Sequence, residues 1–130
     1  MIIDSSALVA MMLSEPERRR FEKAIVCAGT RFLSSASYLE TSMILISRAG
    51  PDAVIDLDLV LDRFQIDVCA FTEEQARLAR ETFKRYGKSR HPAKLNFGDC
   101  ISYALAKETG EELLFKGTDF AQTDIAVAAY

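Results

Sequence analysis

Four acidic residues stand beside predicted secondary-structure elements and are widely separated along the chain. They are Asp4, Glu40, Asp99 and Asp119. Clustered carboxylates repel one another and raise one another's pKa when no cation lies between them. Mg²⁺ and Mn²⁺ remove this repulsion, because they bind a few carboxylates, keep several waters and leave positions for phosphate oxygens. If the fold brings the four acids together, they can support metal-assisted hydrolysis of a phosphodiester by an activated water.

A mainly parallel sheet would bring these acids to one edge. Short apolar runs predict strands at 2–3, 31–33, 66–69, 113–115 and 125–127, with helices between them. This alternation is typical of an α/β domain, in which right-handed crossovers place every strand's carboxyl end at the same edge. Asp4 follows the first strand, Glu40 lies in the helix after the second strand, and Asp119 follows the strand at 113–115. Asp99 begins the helix that leads back into that last strand, so it faces the same edge.

Capping residues and glycines predict the helix boundaries. The predicted helices run over about 7–13, from a capping box at 14–17 toward Cys27, from a second box at 37–40 to Arg48, from Pro51 through Phe64, and from a cap at 72–75 to Tyr86. The last runs from about Asp99 to Thr109, with Asn96 as a candidate cap. Capping alone explains many acids at helix starts. Glu40 is more informative, because its helical neighbours Met43 and Ile44 are apolar and a glutamate on such a face is costly unless it is paired or metal-bound.

Two polar residues near these acids have two interpretations each. Ser6 is either a helix cap or a group that holds a metal-bound water or orients a carboxylate. Asp124 is either a fifth acid in the cleft or a turn residue. The acids of the helix after Pro51 lie on its polar side, and we expect them to be solvated.

A basic segment precedes Asp99. The residues from Thr82 to Gly98 include no acid, and Lys88, Arg90 and Lys94 fall there. Such cations can neutralise a phosphate backbone and release counterions, so we predict that they contact a nucleic-acid backbone. Lys116, at the end of a strand, is a further candidate. His91 is the only histidine and is too weak a signal for a general base.

The composition is that of one folded domain. The chain has 130 residues, of which 49% are hydrophobic and 27% charged, with a formal net charge of −3. We therefore expect a single domain over residues 1–130, in which any nucleic-acid contact is local. Three cysteines without a C-x-x-C pair favour a reducing cytoplasm. No apolar run approaches the ~20 residues of a membrane span, so we expect no membrane partner.

Four segments, taken together and in order, resemble a known family. They are Met1–Ala10 with Asp4-Ser5-Ser6, Ala36–Glu40, Leu95–Cys100 with Asn96-Phe97-Gly98-Asp99, and Lys116–Phe120. Their order and spacing, over essentially the whole chain, resemble the PIN domain. More closely, they resemble the VapC toxins of bacterial toxin–antitoxin pairs.

The resemblance implies a three-layer α/β/α sandwich with a central, mainly parallel sheet, and a Mg²⁺- or Mn²⁺-dependent ribonuclease that cuts single-stranded or loop RNA. By the same resemblance, Asp4 and Asp99 are the principal metal ligands. Glu40 is the third acid of the set, Asp119 is a fourth that often acts through water, and Ser6 matches the family's Ser/Thr beside the first aspartate. The family also implies a homodimer and inhibition by a small VapB-type antitoxin. The apolar helix 36–48 is a candidate for one of these interfaces.

Other classes of function remain open at this point. A phospho-accepting receiver domain shares the α/β frame and a lysine at a late strand end, as at Lys116. It also needs an aspartate at the end of the third strand, where this chain has Val68-Cys69-Ala70. A haloacid-type phosphatase needs a second aspartate where Ser6 stands. The non-enzymatic alternative is a catalytically silent PIN-like module that only dimerises and binds a partner.

Overall fold

A parallel sheet forms the centre of the protein. The computed structural model describes all residues from Met1 to Tyr130. Its strands are β1 (Ile2–Ile3), β2 (Phe32–Ser34), β3 (Asp67–Cys69) and β4 (Leu113–Leu114). They pair in the order β3-β2-β1-β4, and every pair is parallel. The predicted parallel sheet is therefore confirmed, and all strand carboxyl ends lie at one edge.

Six α-helices connect and flank the strands. They are α1 (Ser5–Met12), α2 (Arg18–Cys27), α3 (Ser35–Ala49), α4 (Ala53–Phe64), α5 (Glu73–Tyr86) and α6 (Phe97–Thr109), and a short 3₁₀ helix follows at Asp119–Gln122. None of them has both the length and the apolar character that a membrane span requires.

The two faces of the sheet carry two separate hydrophobic cores. Successive strand residues point to opposite faces, so Ile2 belongs to one core and Ile3 to the other. The core around Ile3 receives its other buried side chains mainly from α1 to α4, whereas the core around Ile2 receives them from α5, α6 and the C-terminal segment. This is the three-layer α/β/α arrangement that the resemblance implied.

Two predicted capping boxes are wrong, and one of these errors concerns Glu40. Ser14 adopts a left-handed φ of 57°, and α2 begins at Arg18 without a side-chain cap. Ser34, not Ser37, is the N-cap of α3, and its hydroxyl accepts a 3.4 Å hydrogen bond from the backbone N–H of Ala36. Three serines stand close together there, and the sequence pattern does not distinguish which one caps the helix. Glu40 therefore lies in the second turn of α3, where capping does not explain it.

Other boundaries agree more closely. Capping boxes at Thr72/Gln75 and at Asn96/Asp99 begin α5 and α6, as predicted. The strand predicted at 125–127 is absent as a strand, because Val127 forms only an isolated parallel bridge with Leu113. The C-terminal segment thus lies beside β4 without extending the sheet.

Candidate active site

A cleft of about 300 Å³ opens at the carboxyl edge of the sheet. Its walls come from the β1–α1 junction, α3, the start of α6 and the end of β4. Asp4, Glu40 and Asp99 all line this cleft, together with Ser5, Ser6, Val9, Glu15, Ile44, Arg48, Asn96 and Lys116. Three acids that are far apart in the sequence therefore share one cleft, as the parallel topology predicted.

Asp4 is the most deeply placed acid of the cleft. It is only 2% exposed and forms the N-cap of α1. Its Oδ2 accepts hydrogen bonds from the backbone N–H of Ser6 at 2.9 Å and from the Ser6 hydroxyl at 2.5 Å. Its Oδ1 accepts a 2.6 Å hydrogen bond from the hydroxyl of Ser102. Both carboxylate oxygens are thus held by protein donors. Asp4, not Ser6, is the N-cap of α1, so the interpretation of Ser6 as a helix cap is wrong. The Ser6 hydroxyl instead orients the carboxylate that caps the helix.

Glu40 reaches the cleft between α1 and α6. Its Oε2 accepts a 2.8 Å hydrogen bond from the hydroxyl of Ser5. Gly98 makes room for it, because a Cβ at that position would lie 2.5 Å from each Glu40 carboxylate oxygen. Burial is the main cause that raises the pKa of Glu40, and the charge of Asp4 raises it further, while the Ser5 hydrogen bond lowers it.

Asp99 has the most strongly shifted pKa among the acids of the cleft. It is the third residue of α6, where its side chain accepts a 2.7 Å hydrogen bond from the backbone N–H of Asn96. Burial, and then the charges of Asp4, Asp119 and Glu40, raise its pKa to about 6, against the lowering effect of the Asn96 hydrogen bond. A cation bound between these carboxylates would remove the repulsion that raises the pKa.

Asp119 lies at the margin of this group. It is exposed, begins the short 3₁₀ helix, and is not among the residues that line the cleft. Its charge nevertheless contributes to the raised pKa of Asp99. Asp119 is therefore near enough to act on the cleft electrostatically.

The donor chemistry of the cleft suits a hard divalent cation. The side chains that face it offer carboxylate and hydroxyl oxygens and no sulfur or imidazole. The structure contains no group of three or more His, Cys, Asp or Glu side chains arranged to enclose a metal ion. Mg²⁺ does not require such an enclosure, since it is commonly held by one or two carboxylates and keeps several waters.

Asp124 belongs to a different network. It accepts hydrogen bonds from the Tyr103 hydroxyl at 2.5 Å and from Lys107 Nζ at 3.0 Å, and Arg85 lies 3.7 Å away. Chiefly because of the Tyr103 and Lys107 hydrogen bonds, its pKa falls to about 2. Asp124 is therefore not a fifth acid of the cleft, and this resolves the alternative left open by the sequence.

The predicted RNA-binding cations fall into two groups. Lys116 lines the cleft, but its ammonium group is paired with Glu15 and lies 3.4 Å from Glu17. Lys88, Arg90 and Lys94 are exposed on the loop 87–95, outside the cleft wall and without an ion pair.

The loop 87–95 has a defined internal structure. A parallel bridge joins Gly87 to Leu95, and Ala93 and Leu95 are fully buried. His91 packs edge-on against Tyr86 at a ring distance of 5.0 Å, and its Nδ1 accepts a 3.1 Å hydrogen bond from the backbone N–H of Ala93. His91 therefore stabilises the loop.

Two further residues of this region were not predicted from the sequence. Arg48, in the last turn of α3, lines the cleft and has no ion pair. Ser102 is buried behind Asp4. A signal for Ser102 existed, because it is a hydroxyl residue three positions after Asp99 and hence near the same face of a mostly apolar helix.

Comparison with known proteins identifies the family. The family model "PIN domain" matches residues 1–126. "VapC ribonuclease Mb0640" of Mycobacterium bovis is 50% identical over 129 residues, which cover 99% of this chain and 98% of that protein. "Ribonuclease VapC" of Mycolicibacterium smegmatis is 48% identical over 126 residues, with coverage of 97% and 98%.

Two solved structures share the fold. Mycobacterium tuberculosis VapC20, described as a "Sarcin-Ricin loop cleaving toxin", superimposes with a TM-score of 0.78 at 16% identity, with coverage of 96% of this chain and 95% of that one. A "Toxin-antitoxin complex from Klebsiella pneumoniae" gives a TM-score of 0.73 at 19% identity, with coverage of 99% and 97%. With its full-length relatives, its parallel sheet and its carboxylate-lined cleft, the chain belongs to the PIN-domain family, as a VapC endoribonuclease toxin of a toxin–antitoxin system.

Proposed function

We propose that this VapC ribonuclease hydrolyses RNA phosphodiester bonds at the carboxylate cleft with Mg²⁺, for which Mn²⁺ can substitute. One observation carries the proposal. Asp4, Glu40 and Asp99, from three separate elements, line one cleft, and the pKa of Asp99 is raised to about 6 by burial and by neighbouring acids. When a divalent cation replaces the protons, it removes the repulsion between the carboxylates and so lowers the free energy of the site.

The roles of the acids follow from their surroundings. We assign Asp4 and Asp99 as the metal ligands, with Ser6, Glu40 and Asp119 in support. When bound, the cation would lower the pKa of a water and polarise the phosphodiester. Ser6 holds Asp4 in place through its backbone N–H and hydroxyl. Glu40, whose pKa is raised by burial, is suited to take a proton from the attacking water.

Glu40 and Asp119 differ in how they support the site. The hydroxyl of Ser5 fixes one Glu40 oxygen, and the other remains free to face the cleft. Asp119 is exposed outside the cleft wall, so it would act through an intervening water rather than by direct coordination.

The basic residues support RNA as the substrate. Lys88, Arg90 and Lys94 are exposed and unpaired on an ordered loop that leads directly into α6 and Asp99. Arg48 adds an unpaired cation inside the cleft wall. Lys116 is different, because a phosphate must compete with Glu15 and Glu17 for its ammonium group. Single-stranded or loop RNA is the proposed form, in line with the description of VapC20.

Exposed apolar residues support binding to other proteins. On α3, Leu39 and Met43 are each 60% exposed and Ile46 is 45% exposed, at helical spacing. Adjacent α4 adds Ile55 and Leu59. Exposed apolar side chains at helical spacing on two neighbouring helices are typical of a protein interface. We propose that a VapB-type antitoxin and a second copy of the chain bind this protein.

Two further proposals concern the chain as a whole. Residues 1–130 form one domain, and the protein is located in the cytoplasm.

Cleavage of defined tRNA and rRNA fragments tests the catalytic proposal. The wild type is expected to cleave with Mg²⁺ and to stop when EDTA is added, and Asp99→Asn is expected to be inactive. Asp62→Asn is the matched control, since Asp62 is an exposed acid of α4. Cleavage that survives both EDTA and Asp99→Asn would overturn the mechanism. A folded wild type that cleaves no RNA would favour the catalytically silent module instead.

A further inference from the structure

Two buried serine hydroxyls lie behind Asp4, where α3 meets α6. Ser37 and Ser102 are each 1% exposed, and their Oγ atoms are 3.4 Å apart. Ser102 Oγ is also 2.6 Å from Asp4 Oδ1, across 98 positions of sequence. A chain of three polar side chains therefore runs from α3 through α6 to the most buried acid of the cleft.

The bonding of Ser102 differs from that of five other hydroxyl residues within the helices. Thr41, Ser42, Ser47, Thr82 and Thr109 each donate to the carbonyl four residues earlier in their own helix. This back-bonding is the usual way in which a helix accommodates a hydroxyl. Ser102 instead donates out of its helix to Asp4. Its role is therefore tied to Asp4 rather than to the stability of α6.

The donor and the acceptor in each of these hydrogen bonds follow from the number of protons available. An ionised carboxylate only accepts hydrogen bonds, so the single proton of the Ser102 hydroxyl must point to Asp4. In the contact with Ser37, Ser102 is then the acceptor and Ser37 the donor. Ser37 thereby satisfies Ser102, and Ser102 is held to donate to Asp4 Oδ1 while Ser6 holds Oδ2.

We propose that Ser102 is a positioning residue that fixes the Asp4 carboxylate for binding a divalent cation. The inference rests on the proposed function, since it concerns the same cleft. With Ser102 on one oxygen and Ser6 on the other, the carboxylate plane cannot rotate. Asp4 Oδ2 accepts two hydrogen bonds and Oδ1 accepts one, so one lone pair of Oδ1 remains for a cation. Groups that orient a ligand in this way typically contribute 10–100-fold to metal affinity or activity.

Mn²⁺ binding without RNA tests the proposal independently of catalysis. Free Mn²⁺ is measured by electron paramagnetic resonance during titration of the wild type, Ser102→Ala and Ser102→Thr. We expect Ser102→Ala to weaken Mn²⁺ binding by about 10–100-fold. Ser102→Thr retains the hydroxyl and is expected to stay within about threefold of the wild type, because the same donor still reaches Asp4.

Ser42→Ala is the matched control. It removes a buried hydroxyl that donates to the Tyr38 carbonyl of its own helix, away from Asp4. Its Mn²⁺ affinity is expected to equal that of the wild type. For Ser102→Ala we also expect a lower kcat with KM for RNA unchanged within about twofold, since a misplaced metal ligand affects chemistry more than RNA binding.

Specific results would overturn the inference. If Ser102→Ala binds Mn²⁺ as tightly as Ser42→Ala does, Ser102 does not position Asp4. Should Ser102→Thr fail to fold, Ser37→Ala replaces it: a two- to fivefold weaker Mn²⁺ affinity supports the chain, and an unchanged affinity contradicts it. A wild type that binds no Mn²⁺ and cleaves no RNA would instead refute the proposed function, so the two failures are distinguishable.

Discussion

Asp99 and Asp124 are two aspartates of one small protein with opposite electrostatic surroundings. Asp99 is surrounded by the acids Asp4, Glu40 and Asp119, and burial together with these charges raises its pKa to about 6. Asp124 accepts hydrogen bonds from Tyr103 and Lys107, which lower its pKa to about 2. The difference shows that an acid that accepts hydrogen bonds from a hydroxyl and an ammonium group is already stabilised, whereas an acid among acids carries an unfavourable energy that a bound cation relieves.

The largest expected effect is a difference in RNA cleavage between substitutions of the two aspartates. Asp99→Asn is expected to reduce Mg²⁺-dependent RNA cleavage by at least about 100-fold, because a metal ligand contributes at least as much as the groups that orient it. Asp124→Asn is expected to stay within about threefold, since Asp124 lies outside the cleft. Initial rates at saturating Mg²⁺ measure both. Equal losses in the two variants would remove the distinction between these regions.

The pH dependence of metal affinity is the next largest effect. Because the pKa of Asp99 is about 6, protons compete with the metal below that pH. Mn²⁺ affinity is expected to fall about tenfold for each pH unit below about 6 and to be nearly constant from pH 7 to 8. Calorimetric titrations at several pH values measure this, with proton release on binding near pH 6. A flat profile between pH 5 and 7 would contradict the assignment of Asp99.

Gly98→Ala tests the close approach of α6 to Glu40. The added Cβ would lie 2.5 Å from both Glu40 carboxylate oxygens, so the glutamate must move. Alanine favours a helix over glycine by about 1 kcal/mol, and we therefore expect a folded protein whose kcat is reduced about tenfold. Gly29→Ala is the control, since an added Cβ there contacts nothing within 4 Å. Wild-type kcat in Gly98→Ala would show that the position of Glu40 does not matter.

The smallest effects are changes of stability with opposite signs. The raised pKa of Asp99 means that its contribution to stability is present below about pH 4 and is lost as pH rises through 6. Without metal at pH 7, Asp99→Asn is therefore expected to stabilise the fold by about 1 kcal/mol after allowance for solvent screening.

Asp124 is expected to behave in the opposite way. Its lowered pKa contributes stability above about pH 4, and this contribution is lost as pH falls toward 2. Asp124 is largely exposed, so Asp124→Asn is expected to destabilise the protein at pH 7 by only about 1 kcal/mol. Urea unfolding of the metal-free proteins at pH 4.5 and pH 7 measures both variants. If both substitutions changed the free energy of unfolding in the same direction at pH 7, the contrast between Asp99 and Asp124 would be wrong.

Features that depend on a few neighbouring residues could be predicted from the sequence. These features include the capping boxes of α5 and α6 and the helix ends at Gly50, Gly87 and Gly110. Four of the five predicted strands also agree with the structure to within one residue. The parallel order, in turn, predicted that Asp4, Glu40 and Asp99 share one edge. Where several local patterns competed, as at Ser34-Ser35-Ala36-Ser37, the prediction chose the wrong cap.

The sequence by itself determined the fold class, the positions of the acids along the chain and the basic loop before α6. The tertiary structure alone decided which side chains meet: Ser102 with Asp4, Lys116 with Glu15, and Asp124 with Tyr103 and Lys107. The physical reason is range. Capping and periodicity act over about four residues, whereas these contacts join residues that are adjacent only because the sheet and the two helical layers pack against each other.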